Sequence, residues 1–184
     1  VLRADAIEDV NGLAQAGKQL QEAVDAARKA YRMSDSEDNL LSLAFSLRYQ
    51  AEFLRLEAKD FPMATKVAGE TVDTYKQLIK RSGATPRMVQ GLAYALFTQA
   101  SVESDQEDYQ AAIDLLDEAV NELESLNEGG ITPSRFSIYA TCLRKKAYCL
   151  MESDNADSVL PCLQTALQAC EKALEITPGH PDLL

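Results

Sequence analysis

Apolar side chains return along this chain at spacings of three and four, and the pattern itself returns every 47 to 49 residues. Ala44, Leu47, Gln50 and Ala51 are matched by Ala93, Leu96, Gln99 and Ala100, then by Ala140, Leu143, Lys146 and Ala147, at offsets of 49 and 47. A second set runs between them: Leu20, Ala23, Val24, Ala27; Ala68, Thr71, Val72, Tyr75; Leu116, Ala119, Val120, Leu123; and Leu163, Ala166, Leu167, Cys170, at offsets of 48, 48 and 47. Spacings of three and four place each set on one helical face. Two interleaved sets at one period predict stacked helix pairs, each needing a neighbour to bury its apolar face. The expected fold class is all-α, an α-α superhelix of about seven antiparallel helices.

The helices are expected over residues 9–32, 40–58, 61–81, 86–104, 107–126, 133–152 and 157–176, with residues 1–8 a frayed lead-in. The first carries Leu13, Ala16, Leu20, Ala23, Val24, Ala27 and Tyr31 on one face. Ser34, Asp35, Ser36, Glu37 and Asp38 form a polar break rich in N-cap candidates. Two later boundaries repeat Gly-x-Thr-Pro, at Gly83 to Pro86 and at Gly130 to Pro133, 47 residues apart. There glycine ends one helix in a left-handed conformation, threonine caps the next and proline takes its first position. Pro161 delays the start of the last helix, and Thr177, Pro178, Gly179 and Pro181 end it. The chain reads as one domain over 1–184: an unpaired helix at 9–32, then repeats at 38–82, 85–127 and 132–178. Starting at Val1 and stopping just after a turn, it is expected to be a piece of a longer protein.

Alanine at a contact position lets two helix backbones approach closely. Ala51, Ala100 and Ala147 do this in the first helix of each pair, and Ala64, Ala112 and Ala119 in the second. The run Tyr109, Ala112, Leu116, Ala119 resembles the second helix of a tetratricopeptide (TPR) repeat, and Ala173 to Pro178 resembles the close of one. The resemblance covers about residues 13 to 178. The family's period is 34 residues, whereas this chain's is 47 to 49, so it resembles a divergent array with longer helices. HEAT repeats have a similar period, but the paired small residues fit the TPR pattern better. The last helix also admits a phase one turn later, through Ala166, Cys170 and Ala173.

The net charge of −11 is uneven: residues 88–134 hold ten acids and no Lys or Arg. Such a chain is a poor ligand for nucleic acid, whose affinity comes mostly from clustered cations. Apolar runs are too short to cross a bilayer, so no membrane partner is expected. Cys142, Cys149, Cys162 and Cys170 are spaced by helical turns and not as a zinc site, and read as buried reduced thiols in the cytoplasm or nucleus. The lone histidine, His180, lies in the terminal turn, so no histidine-based triad or metal cluster is expected and neither enzyme activity nor a cofactor is implied.

What the TPR resemblance implies is a protein or peptide ligand in a concave groove lined by the first helix of each pair. The core register then places Phe45, Arg48, Glu52 and Arg55, next Tyr94, Phe97 and Ser101, and last Thr141, Arg144, Lys145 and Tyr148 at that groove. Aromatics beside cations suit a peptide bearing acidic residues or a terminal carboxylate. The groove positions offer no Asn, which argues against the carboxylate clamp of chaperone-binding TPR proteins. The expected function is a non-catalytic interaction scaffold or adaptor. The alternative is an acidic assembly chaperone that escorts a basic client, such as a ribosomal protein or histone, on a face formed by Asp114, Asp117, Glu118 and Glu122. A solvated face kept soluble by charge is the bland reading of those acids. The first and last helices are each expected to present an uncovered apolar side prone to self-association.

Overall fold

The computed structural model describes residues 2–126 and 132–176, with side chains from residue 12 onward except at 133, 156 and 176. Seven α-helices follow in order: α1 (Leu2–Met33), α2 (Glu37–Phe53), α3 (Phe61–Ser82), α4 (Pro86–Asp105), α5 (Tyr109–Glu124), α6 (Pro133–Glu152) and α7 (Val159–Ile176). There is no strand among the described residues. The protein is all-α, as the periodicity requires. The chain divides into two compact units, Val1–Ser82 and Gly83–Leu184.

In the first unit, α2 packs against both α1 and α3. Ala44, Leu47 and Ala51 of α2 and Ala68 and Tyr75 of α3 are fully buried. Ser36 caps α2, its hydroxyl accepting the Asn39 N–H at 3.2 Å, while the Asn39 amide donates to the Ala30 and Ser34 carbonyls. The last turn of this helix, Leu54–Ala58, widens to a π-helix and ends at Lys59, which takes the left-handed conformation (φ 55°). Two expectations for α1 change. It begins at Leu2 and not near Asp9. Of its expected core, Val24 is buried, but Leu13 is 39% exposed and Ala23 is exposed. The reason is that α1 has apolar cover from α2, whereas its ties to α3 are polar. One terminal nitrogen of Arg28 donates to both Glu70 oxygens at 2.6 and 2.7 Å, and Gln77 donates to the Tyr31 hydroxyl; just beyond the end of α1, Asp35 pairs with Arg81. Gly17 faces the Phe53 ring so closely that a Cβ there would lie 2.9 Å from a ring carbon.

The second unit is two helical hairpins. Gly83 (φ 83°) ends the preceding helix, Thr85 caps α4 by accepting the Met88 N–H, and Pro86 takes the first position. Thr132 and Pro133 repeat the device at α6, where the Thr132 hydroxyl accepts the Arg135 N–H. Gly130 and Ile131 lie outside the described residues, as does the closing segment from Thr177. The seam between α4 and α5 includes Ala93, Leu96, Ala100, Leu116, Ala119 and Leu123, all fully buried. Helix α6 packs on both members of that hairpin and then on α7. Its hold on α5 is polar as well as apolar. The Arg135 guanidinium donates to the Leu123 and Leu126 carbonyls, the Tyr139 hydroxyl donates to Glu124 at 2.6 Å, and Lys146 pairs with Asp117. The Asp117–Lys146 pair joins residues 29 apart, and Gln21 accepts from Gln50 across the α1/α2 junction at the same separation.

The register expected for the last helix needs correction. Leu163 is 41% exposed and Leu167 60% exposed, while Cys162, Ala166, Ala169 and Ala173 are buried. The later phase, through Ala166 and Ala173, is the packed one, with Cys170 half-buried at its edge. Among the described elements α7 is covered chiefly by α6, so only the stripe facing α6 is buried and the leucines one step around the helix stay in water. Helix α7 starts at Val159 after a single 3₁₀ turn (Ala156–Ser158), so Pro161 falls within its first turn.

Candidate functional site

The residues expected to line a groove fall in both units, and each unit stands by itself. In the first, the Phe45 ring packs edge-on against Tyr75, with centroids 6.5 Å apart. Arg48 is not an open cation. Its side chain is 14% exposed, donates to Glu52 at 2.8 Å and lies over the Tyr49 ring at 4.4 Å. An i,i+4 pair of this kind is satisfied within its own helix. Arg55 is half-buried in the π turn that ends α2.

In the second unit Tyr94 and Phe97 are half-buried on α4. Ser101 departs from the expectation: it is 2% exposed and its hydroxyl donates to the Phe97 carbonyl at 2.8 Å. A small side chain bonded to its own helix is absorbed into the packing and offers nothing to a ligand. The four expected residues of α6 behave differently. Arg144 is exposed. Lys145 places its ammonium 4.9 Å from the centroid of Tyr148, a cation–π contact. Tyr148, 42% exposed, packs edge-on against Tyr109 at the start of α5. The Tyr109 phenol is pushed above its ordinary value, first by desolvation and then by Tyr148 and the nearby Glu152 and Glu107. Thr141 donates to the Ser137 carbonyl and, with Arg144, lines a groove between α6 and α7. The far wall of that groove is Leu163, Ala166, Leu167 and Cys170.

The acidic face on α5 is partly committed. Asp114, Asp117, Glu118 and Glu122 share one shallow trough with Asn121 and Ser125. Within it Asp117 pairs with Lys146 and Asp114 accepts from the Gln110 amide at 2.8 Å. Nearby, Glu103 sits above the usual carboxylate range because burial disfavours its charge and Asp108 repels it.

No protein-family model matches the chain, and no curated protein matches it in sequence. Among solved structures it is similar to BtubC (BKLC) from P. vanneervenii, with a TM-score of 0.68 and 11% sequence identity. The match covers 93% of this chain and 61% of that one, so the chain spans less than two thirds of the length of BtubC. At that identity the likeness concerns the fold, and it agrees with the all-α architecture.

Chemically, the described residues offer recognition groups. They contain no cluster of three or more His, Cys, Asp or Glu side chains that could hold a metal ion, and no helix among them is long and apolar enough to cross a membrane. Cys142, Cys149 and Cys162 are buried free thiols. Burial pushes the Cys142 thiol up to about 12, which keeps it protonated, and Cys162 is raised mainly by the same cause. The Cys162 thiol donates to the Leu143 carbonyl at 3.1 Å. His180 lies outside the described residues.

The sequence reading did not single out Leu160, which is 63% exposed and continues the stripe of Leu163 and Leu167. Its signal was present: leucines at 160, 163, 167 and 174 repeat at helical spacing. Two apolar stripes on one helix mean two faces to cover.

Proposed function

We propose that the chain is a stretch of a divergent TPR-like helical array that works as a non-catalytic scaffold or adaptor for a protein or peptide partner. The observation that carries the reading is the cluster on α6: exposed Arg144 beside a Lys145–Tyr148 cation–π pair. An exposed guanidinium gives a bidentate donor for a carboxylate, and a half-exposed tyrosine gives an apolar anchor at low entropic cost. The partner is thus an acidic peptide segment or a chain terminus. Recognition is assigned to the second unit, because Arg48 of the first already spends its charge on Glu52. Buried reduced thiols suit a cytoplasmic or nuclear setting. An acidic chaperone for a basic client draws support from the trough on α5, but Lys146 already offsets the charge of Asp117 there.

Affinity capture from lysate with the wild-type chain beside an Arg144→Glu, Lys145→Glu variant tests the reading, after circular dichroism shows the two to be equally helical. Partners lost from the variant, and held by the wild type with only a moderate salt dependence, support anchoring at this cluster. An unchanged set of partners refutes it.

A further inference from the structure

The exposed face of α6 does not end at its cations. Arg144, Tyr148 and Glu152 stand one turn apart in a single row, and all three are exposed. Lys145 joins the row through the Tyr148 ring, 4.9 Å from its ammonium, and the same ring meets Tyr109 of α5 edge-on at 6.5 Å. Glu107, exposed two residues before Tyr109, and Glu152 both lie close enough to that phenol to help raise it. The row thus runs from positive through aromatic to negative, within the second unit. Arg144 and Glu152 are two turns apart, about 12 Å along the helix, too far to pair with each other. The equivalents 47 residues earlier on α4, where α6 packs over the hairpin, are Phe97, Thr98, Ser101 and Asp105. Thr98 and Ser101 are 3% and 2% exposed, and no cation stands among the four. Covering one helix pair with the next is therefore done with small hydroxyl side chains, and the long charged and aromatic ones of α6 answer to a different occupant.

Building on the acidic-ligand reading of α6, on which this step rests, we infer that the segment bound there is bipolar: an extended peptide of the partner protein with an acidic side chain on Arg144 and Lys145, an apolar one on Tyr148, and a Lys or Arg on Glu152 and Glu107. Charge complementarity at both ends of the row carries the assignment. Three subsites in line along one helix face suit a segment lying along it, and about 12 Å is a span of three or four residues of extended chain. Tyr148 supplies the apolar contact between the two charges, and Tyr109 holds its ring in place. The negative end also sets selectivity. A purely acidic segment, which Arg144 and Lys145 alone would accept, brings its far end onto Glu152 and Glu107 and is repelled.

The probe is a phage-displayed library of random dodecapeptides, selected against the full chain under reducing conditions. The expected consensus has an acidic and a basic position three or four residues apart with an apolar one between. A synthetic peptide of that sequence, titrated by fluorescence anisotropy, is expected to lose about three- to tenfold in affinity when the chain carries Glu107→Lys with Glu152→Lys. Replacing the basic residue of the peptide by Glu is expected to restore binding to that variant. Both carboxylates are exposed, so the variant keeps its fold, which circular dichroism checks. A consensus that is acidic alone, an affinity indifferent to the two lysines, or a loss that the charge-reversed peptide does not recover overturns the bipolar ligand and leaves the acidic-ligand reading standing. A consensus with no acidic position, or a library that yields no binder, overturns both.

Discussion

Leu167→Ala and Ala173→Leu, made separately, decide which stripe of α7 is packed. Full burial of a leucine side chain stabilises by roughly 1.5–3 kcal/mol. Leu167 keeps 60% of its surface in water, so truncation removes about two fifths of that, or ~0.6–1.2 kcal/mol. Alanine's better helix propensity returns a few tenths, leaving a net cost of about 0.5–1 kcal/mol. Ala173 is fully buried, and three added carbons there have no space to enter. Overpacking of that kind costs about 1–3 kcal/mol. The structure thus orders the two: Ala173→Leu is the more damaging. Had the register through Leu163 and Leu167 been the packed one, the order would invert, with Leu167→Ala costing about 2–5 kcal/mol. Urea unfolding followed by far-ultraviolet circular dichroism suits a chain without tryptophan, and the comparison holds if the slope against denaturant is unchanged. A loss above about 2 kcal/mol for Leu167→Ala refutes the packing described.

Four further outcomes are expected. Thr85→Ala removes the cap of α4 and costs about 1 kcal/mol, and Gly83→Ala, which meets no neighbouring atom but must hold φ 83°, costs about 1–2 kcal/mol for backbone reasons alone; a neutral Gly83→Ala in the same urea assay contradicts the left-handed helix end. With its pKa pushed up from 9.0 to about 12, the Cys142 thiol resists alkylation near neutral pH while half-exposed Cys170 reacts first, as mass mapping of the folded chain reads out. The sign for stability follows: the protonated thiol is favoured in the fold, so its contribution is complete below about 9 and is lost as pH rises toward 12, and urea midpoints that hold constant across that alkaline range contradict it.

Helix positions were legible because each has a local cause. The Gly-x-Thr-Pro boundary fixes where α4 starts through three separate residue preferences, and Ser36 was among the cap candidates of the polar break. The inner seams were legible too, since Leu47, Leu96 and Leu116 have helices on both sides and periodicity maps directly onto burial. The end helices were not. On α7, Leu163 and Leu167 continue the repeat register, yet what they should pack against is not among the described helices, so pattern and burial part company. The candidate site was legible as a list of side chains and not as an arrangement. Spacing does set Arg48, with Glu52 one turn on, apart from Arg144, which has Tyr148 there, but nothing in it showed that Ser101 is drawn into the packing.

A chain assembled from similar helix pairs risks closing on the wrong copy of itself, because its seams repeat alanine and leucine at the same spacing. The two cross-helix contacts at a separation of 29 residues are unlike one another: Gln21 with Gln50, and Asp117 with Lys146. If α6 settled on α1 in place of α2, Lys146 would meet an amide; if α2 settled on α5, Asp117 would lose its cation. Each exchange forfeits a half-exposed ion pair, about 1 kcal/mol at most. That penalty is small beside total stability, yet it falls on both of these mismatched pairings during folding. The seam makes helices stick, and these two unlike junctions tell them to which.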